Sequence, residues 1–193
     1  FNPHARQAIA WTRQQLTPEH KQYLRGLDTK VYITYGVVGA HGTLNSPDEF
    51  GYLFYERQRG QQLVITENLQ LSFAEMNRLG ARVCLVGHSH VPVAFMPDGS
   101  QIRLNFGGLD VFAVNHYGRR VIACAGAVGQ PRGIRAGADG VPAADAYKAC
   151  YVLLEDEFMT YQRVDYDVEL TVGKILANPE VPDWLGERLR RGE

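Results

Sequence analysis

Along the first half of the chain, apolar positions fall into alternating helical and strand patterns. Asn2-Pro3 reads as an N-cap followed by proline at the first helical position, predicting a helix to about Leu16. Thr17-Pro18-Glu19 repeats that start signal, and Gly26 closes a second short helix. Residues 31–38, VYITYGVV, are β-branched and aromatic, predicting one strand that runs into Gly39-Ala40-His41-Gly42. Ser46-Pro47-Asp48-Glu49 has capping-box spacing and predicts a helix that stops near Gly60. Residues 63–65 form a short apolar strand. Phe73, Met76 and Leu79 share one face of a helix starting near Asn68 and ending before Gly80. Residues 81–86, ARVCLV, read as a buried strand ending at Gly87-His88-Ser89-His90. This order of helices and strands predicts an α/β fold.

Beyond Val91 the texture changes. Short runs at 101–106, 111–114, 120–125, 147–154 and 158–164 are separated by turn signals and predict an antiparallel β-meander. Asp98-Gly99 is a hairpin-type turn. Residues 133–144, rich in glycine, alanine and proline, predict an exposed loop, and Asp183 caps a closing helix that extends through Arg191. The length of 193 residues suits a single domain, 1–193.

Composition narrows the function classes. A net charge of −1 and a pI near 6.7 provide no polycationic field, so no nucleic-acid partner is expected, although small phosphorylated substrates remain compatible. Cys84, Cys124 and Cys150 lie far apart within apolar runs; they form no CxxC pair and suit free thiols in a reducing cytoplasm. The chain lacks a run of 18 apolar residues, so no membrane partner is expected. It opens on Phe1 rather than methionine, which predicts that the sequence is part of a longer protein.

The chemistry concentrates in three of six histidines. His41, His88 and His90 each follow a strand of buried character and sit beside or next but one to glycine. In open α/β sheets, ligands bind beyond the carboxyl ends of strands, and glycine there lets the backbone approach an ion or phosphate. His88 and His90, two residues apart in extended chain, project to one side. Together with His41 they make a plausible metal-ligand set, predicted to converge on one cleft. His4, His20 and His116 read as surface hydrogen-bonding residues, and helix capping accounts for Asp48 and Glu49 without a ligand role.

His41-Gly42, then Gly87-His88-Ser89-His90, then Gly126-Ala127-Val128-Gly129-Gln130-Pro131-Arg132 resemble the later motifs of calcineurin-like metallophosphoesterases, and within them a compact prokaryotic phosphodiesterase group. The opening FNPHARQAIAWT, the RVDYD at 163–167 and the terminal PDWLGERLRRG extend the resemblance over nearly the whole chain. It implies an αββα sandwich with its amino-terminal part absent from these residues, and a centre of two divalent ions (Mn, Fe, Ni or Zn). His41 and His88 would ligate one ion and His90 the other. The family's Asp-x-His, Gly-Asp and Gly-Asn-His-Asp motifs do not occur here, so this chain corresponds to the carboxy-terminal two-thirds of the domain. The family usually has Asn-Pro-Gly-Ser where this chain has Cys124-Ala125-Gly126-Ala127. Residues 126–132 read either as a strand-to-loop turn packed beneath the site or as a substrate contact, and Arg132 is the one cation of that segment able to hold a phosphate bidentately. The implied activity is hydrolysis of phosphodiesters or nucleotide-like phosphates, with a small phosphoester as partner and a homo-oligomer left open. Two rivals remain at this point. One is a mononuclear zinc hydrolase on three histidines; the other is a non-catalytic scaffold or regulatory protein that retains the fold.

Overall fold

A computed structural model describes residues 3–57, 62–103, 111–132 and 147–192. Helices α1 (Pro3–Gln15) and α2 (Pro18–Arg25) precede an antiparallel hairpin, β1 (Lys30–Thr34) and β2 (Val37–Ala40). A second hairpin, β3 (Phe54–Arg57) and β4 (Gln62–Ile65), leads to α3 (Glu67–Leu79) and β5 (Val83–Val86). Then come β6 (Pro92–Phe95), β7 (Gln101–Arg103), β8 (Val111–Asn115), β9 (Val121–Ala125), β10 (Ala149–Leu154) and β11 (Phe158–Val164). Helices α4 (Val168–Leu176) and α5 (Trp184–Glu187) close the chain, followed by a 3₁₀ turn at Arg188–Arg191.

The main sheet has six strands in the order β1-β2-β5-β9-β6-β7, and β2, β5 and β9 run parallel. Its two faces bury different side chains because strand side chains alternate. On one face, Val38, Cys84, Phe95, Ile122 and Cys124 pack against Phe73 and Met76 of α3 and Phe54 of β3. On the other, Val83, Ala94, Val121 and Ala123 meet Val114, Met159 and Tyr161 of the three-stranded sheet β10-β11-β8. Tyr161 is fully buried between the sheets, and its hydroxyl donates to the Val93 carbonyl at 3.2 Å, so its polar end is satisfied. The result is a helix–sheet–sheet stack.

Several expected elements differ. Residues 31–38 form a hairpin rather than one strand: Gly36 adopts φ +73 and turns the chain between β1 and β2. Residues 46–49 form a tight turn closed by Glu49 N–H donating to Ser46 O at 3.1 Å, and a strand follows in place of the expected helix. The capping account of Asp48 and Glu49 therefore fails; both are exposed. Gly60, residues 104–106 and residues 133–144 lie outside the described residues. The run at 120–125 is a central strand, β9, parallel to β5, not part of a meander. Strand β6 and helix α4 were unforeseen; Asp167 caps α4 by accepting from Leu170 N–H at 2.8 Å. Asp183 makes no such side-chain cap bond.

The amino-terminal elements are attached but poorly covered. Neither α1 nor α2 buries a residue, and β1, an edge strand, exposes Val31, Tyr32 and Ile33. Glu75 of α3 holds this edge: Lys30 donates to it at 2.8 Å and Arg78 at 2.7 Å, which together draw its carboxyl down to about 2. Core and edge should respond differently to truncation. Met76→Ala, which empties a fully buried site beneath the sheet, is expected to cost about 2–5 kcal/mol, and Ile33→Thr, at a half-exposed edge position, under about 1 kcal/mol. Urea midpoints of the two variants check this; equal losses would contradict the layer assignment.

Candidate metal centre

Register brings the first two histidines together. Ala40, the last residue of β2, pairs with Val86, the last of β5, so the chain leaves both strands side by side at their carboxyl ends. Gly87 N–H donates to the His41 carbonyl at 2.9 Å, extending the ladder one step. Beyond it, His41 Nε2 lies 3.3 Å from His88 Nδ1, with the rings edge to face at 5.1 Å. Strand β9 ends beside β5, Cys124 pairing with Val86, and sends Ala125–Arg132 past the same edge. The site thus stands at the carboxyl ends of three parallel strands, the position where open α/β sheets place ligands.

The two histidines of the β5–β6 connection have unusual backbones. His88 has φ 61 and His90 φ 64, the only non-glycine residues with positive φ among the described residues. Histidine enters the left-handed region more readily than most residues, yet such positions cost on the order of 1–3 kcal/mol and cluster at functional sites. His90 Nδ1 is 2.8 Å from the Gln130 carbonyl; because a carbonyl only accepts, Nδ1 carries the proton, which leaves the Nε2 lone pair for a ligand. Arg132 N–H donates to the His90 carbonyl at 3.1 Å, and its Nη2 donates to Gln130 Oε1 at 3.4 Å. The segment expected to supply either a packing turn or a phosphate contact therefore holds His90 by its main chain, while the Arg132 guanidinium acts electrostatically on both His88 and His90.

Aromatic residues with no motif of their own complete the surroundings. The ring of Tyr52 lies tilted against His88, with centroids 4.1 Å apart, and Phe50 approaches to 6.0 Å; both Tyr52 and Phe50 are exposed. Gly42 permits this approach, since a Cβ there would lie 2.9 Å from the Gly51 carbonyl. Beside His41 opens a groove of about 500 Å³ lined by Leu24, Leu27, Val31, Ile33 and Leu85.

Do these residues suit a metal? His88 Nε2 is buried with no hydrogen-bond partner, an orphaned polar atom that a bound cation would satisfy. Burial pushes His88 and His90 toward the neutral form that ligation requires; the charges of His41, His90 and Arg132 add to the effect on His88. On the other side, no group of three or more histidine, cysteine, aspartate or glutamate residues is arranged to hold an ion among the described residues. The donor set fits a metal in its chemistry but does not by itself make a full coordination shell.

No family model and no curated protein matches the chain. Among solved structures it is similar to a metallophosphoesterase from Sphaerobacter thermophilus, at 28% sequence identity and a TM-score of 0.74, over 100% of this chain and 69% of that one. This whole-length likeness supports the metallophosphoesterase superfamily. No helix among the described residues is long and apolar enough to cross a membrane.

The lowered histidines give a pH prediction. Folded pKa values below the ordinary value near 6.5 mean that the unfolded chain binds more protons around and below that pH. Their contribution to stability is complete above about pH 6.5 and is lost as the pH falls through the lowered folded values. Thermal midpoints of the metal-free protein should be flat above neutrality and fall below it, and His88→Gln should flatten the acid limb. An acid limb that is unchanged in the variant would contradict the burial reading of His88.

Proposed function

We propose that this chain belongs to a metal-dependent phosphoesterase, with His41, His88 and His90 as ligands to divalent ions. The observation that carries the reading is the meeting of His41 and His88 at 3.3 Å beyond two parallel strands, with one buried imidazole nitrogen left without a partner. The likeness to a metallophosphoesterase supports the same class. The finer reading is a two-ion phosphodiesterase acting on phosphodiesters or nucleotide-like phosphates. When bound, such ions supply Lewis-acid polarisation of a phosphoryl oxygen and a water acidified toward about 7.

The chain's own residues have separable tasks in this reading. His41 and His88 present imidazole nitrogens from adjacent strand ends, and Gln130 holds His90 in the tautomer with a free Nε2. Arg132 adds positive charge where a phosphate would gather negative charge. Among the described residues no carboxylate stands with the histidines.

Two measurements test this. The 193-residue chain alone should turn over a generic phosphodiester poorly with manganese, and the complete gene product should do so readily. Strong turnover by the chain alone would favour a mononuclear site. In the complete protein, His88→Ala and His90→Ala should each cut kcat by several orders of magnitude with loss of metal. Arg132→Ala removes the guanidinium but keeps the main-chain bond to His90; the loss should be about 10- to 150-fold, that of one charge-assisted contact. If His90→Ala keeps its metal and its rate, His90 is not a ligand.

A further inference from the structure

The connection from β5 to β6 does something unusual: it passes over the end of β9. Strand β9 lies between β5 and β6, parallel to one and antiparallel to the other. One residue of β9, Cys124, pairs with both Val86 and Val93, which puts it directly beneath the 87–91 crossing. Cys124 is fully buried and free. Its Sγ is 3.3 Å from the Gly87 carbonyl and 2.9 Å from Ser89 Oγ, and Val91 N–H reaches Ser89 Oγ at 3.3 Å.

Proton counting fixes the directions of these bonds. A carbonyl only accepts, so the single thiol proton goes to Gly87 O. The sulfur therefore accepts from the Ser89 hydroxyl, whose oxygen in turn accepts from Val91 N–H. Each donor is used once, along one line: Val91 to Ser89 to Cys124 to Gly87. That line begins beyond His90, passes through Ser89 and ends before His88, and so brackets both left-handed histidines.

We propose that Cys124 and Ser89 are positioning residues: a buried thiol–hydroxyl clasp that holds His88 and His90 in their left-handed conformations and so sets the direction of both imidazoles. A thiol suits this place. It is small enough for the sheet interior, where it packs with Val38, Phe95 and Ile122, and still carries a donor and an acceptor for the loop above. Without the clasp, the strained turn is held by the Gly87, Ser89 and Arg132 main-chain bonds and by the His90 ring bond to the Gln130 carbonyl. The part of the proposal that concerns metal rests on the histidine-ligand reading above; the part that concerns the loop does not.

The test uses the 193-residue chain without metal and then with manganese(II) alone. Amide hydrogen exchange at Gly87 and Ser89 should accelerate about tenfold or more in Ser89→Ala and in Cys124→Ala, with the β5 and β9 strand amides little changed. Cys124→Ser restores a donor and an acceptor and should return exchange to within about threefold of the parent; Cys124→Val, which only fills space, should not. Manganese affinity by calorimetric titration should weaken about 10- to 100-fold in Ser89→Ala and Cys124→Ala and recover in Cys124→Ser, as expected for groups that orient ligands. Unchanged exchange in both alanine variants, or a serine variant no better than alanine or valine, overturns the clasp. If exchange behaves as predicted but manganese affinity is the same in the parent and both alanine variants, the metal part of the proposal fails and the clasp stands. Ser89→Ala, at a half-buried loop position, keeps the test decisive if the Cys124 variants do not fold.

Discussion

The structure depends on one short crossing: five residues, 87–91, must carry the chain from β5 over the end of β9 to β6 on its far side. The structure makes the step with two histidines at positive φ. The cost of those conformations falls on the residues that carry the candidate chemistry. Both ends of the crossing are anchored in ladders, Gly87 to His41 on one side and Val93 to Cys124 on the other. The main sheet itself therefore sets where the histidines stand.

The two cores serve this arrangement differently. The face of the sheet under α3 buries the residues directly below the site, including Cys84, Val86 and Cys124, and gives the crossing a rigid floor. The opposite face joins the small sheet through Met159 and Tyr161, and Cys150 of that sheet packs against Gly126, where a Cβ would lie 2.9 Å from the cysteine Cβ. That close approach brings the segment after β9 back toward Gln130 and Arg132, the residues bonded to His90. Cys84 and Cys150 are pushed up to about 12 by burial, so neither provides a thiolate at neutral pH. Their role is packing, in contrast to the bonded thiol of Cys124.

What the sequence disclosed follows from what is encoded locally. Thr17 before Pro18, Gly80 after Leu79 and Gly99 in its turn all perform the task their type suggests, because capping and left-handed turns involve only a few neighbouring residues. Gly87-His88-Ser89-His90 was legible for the same reason. Gly36 was not, since a β-branched run on both sides masked a turn that depends on one glycine. Ser46–Glu49 carries capping-box spacing, but no 3.6-residue apolar period follows it, and Leu53 and Phe54 go into the core from a strand. The pairing of β9 with β5 and β6 is set by distant partners, so neither its parallel direction nor the duty of Cys124 could be read from an apolar run. Helix α4 was readable in retrospect: Asp167 precedes Val168, Val172 and Ile175 at helical spacing.

The account's central claim is that His41, His88 and His90 are metal ligands, and an anomalous difference map from a zinc-soaked crystal of the complete protein tests it most directly. The claim predicts peaks about 2.0–2.1 Å from histidine ring nitrogens at the ends of β2 and β5, with His90 Nε2 facing a peak and its Nδ1 still on Gln130. Zinc bound only elsewhere, with His41 and His88 still in mutual contact, would contradict it.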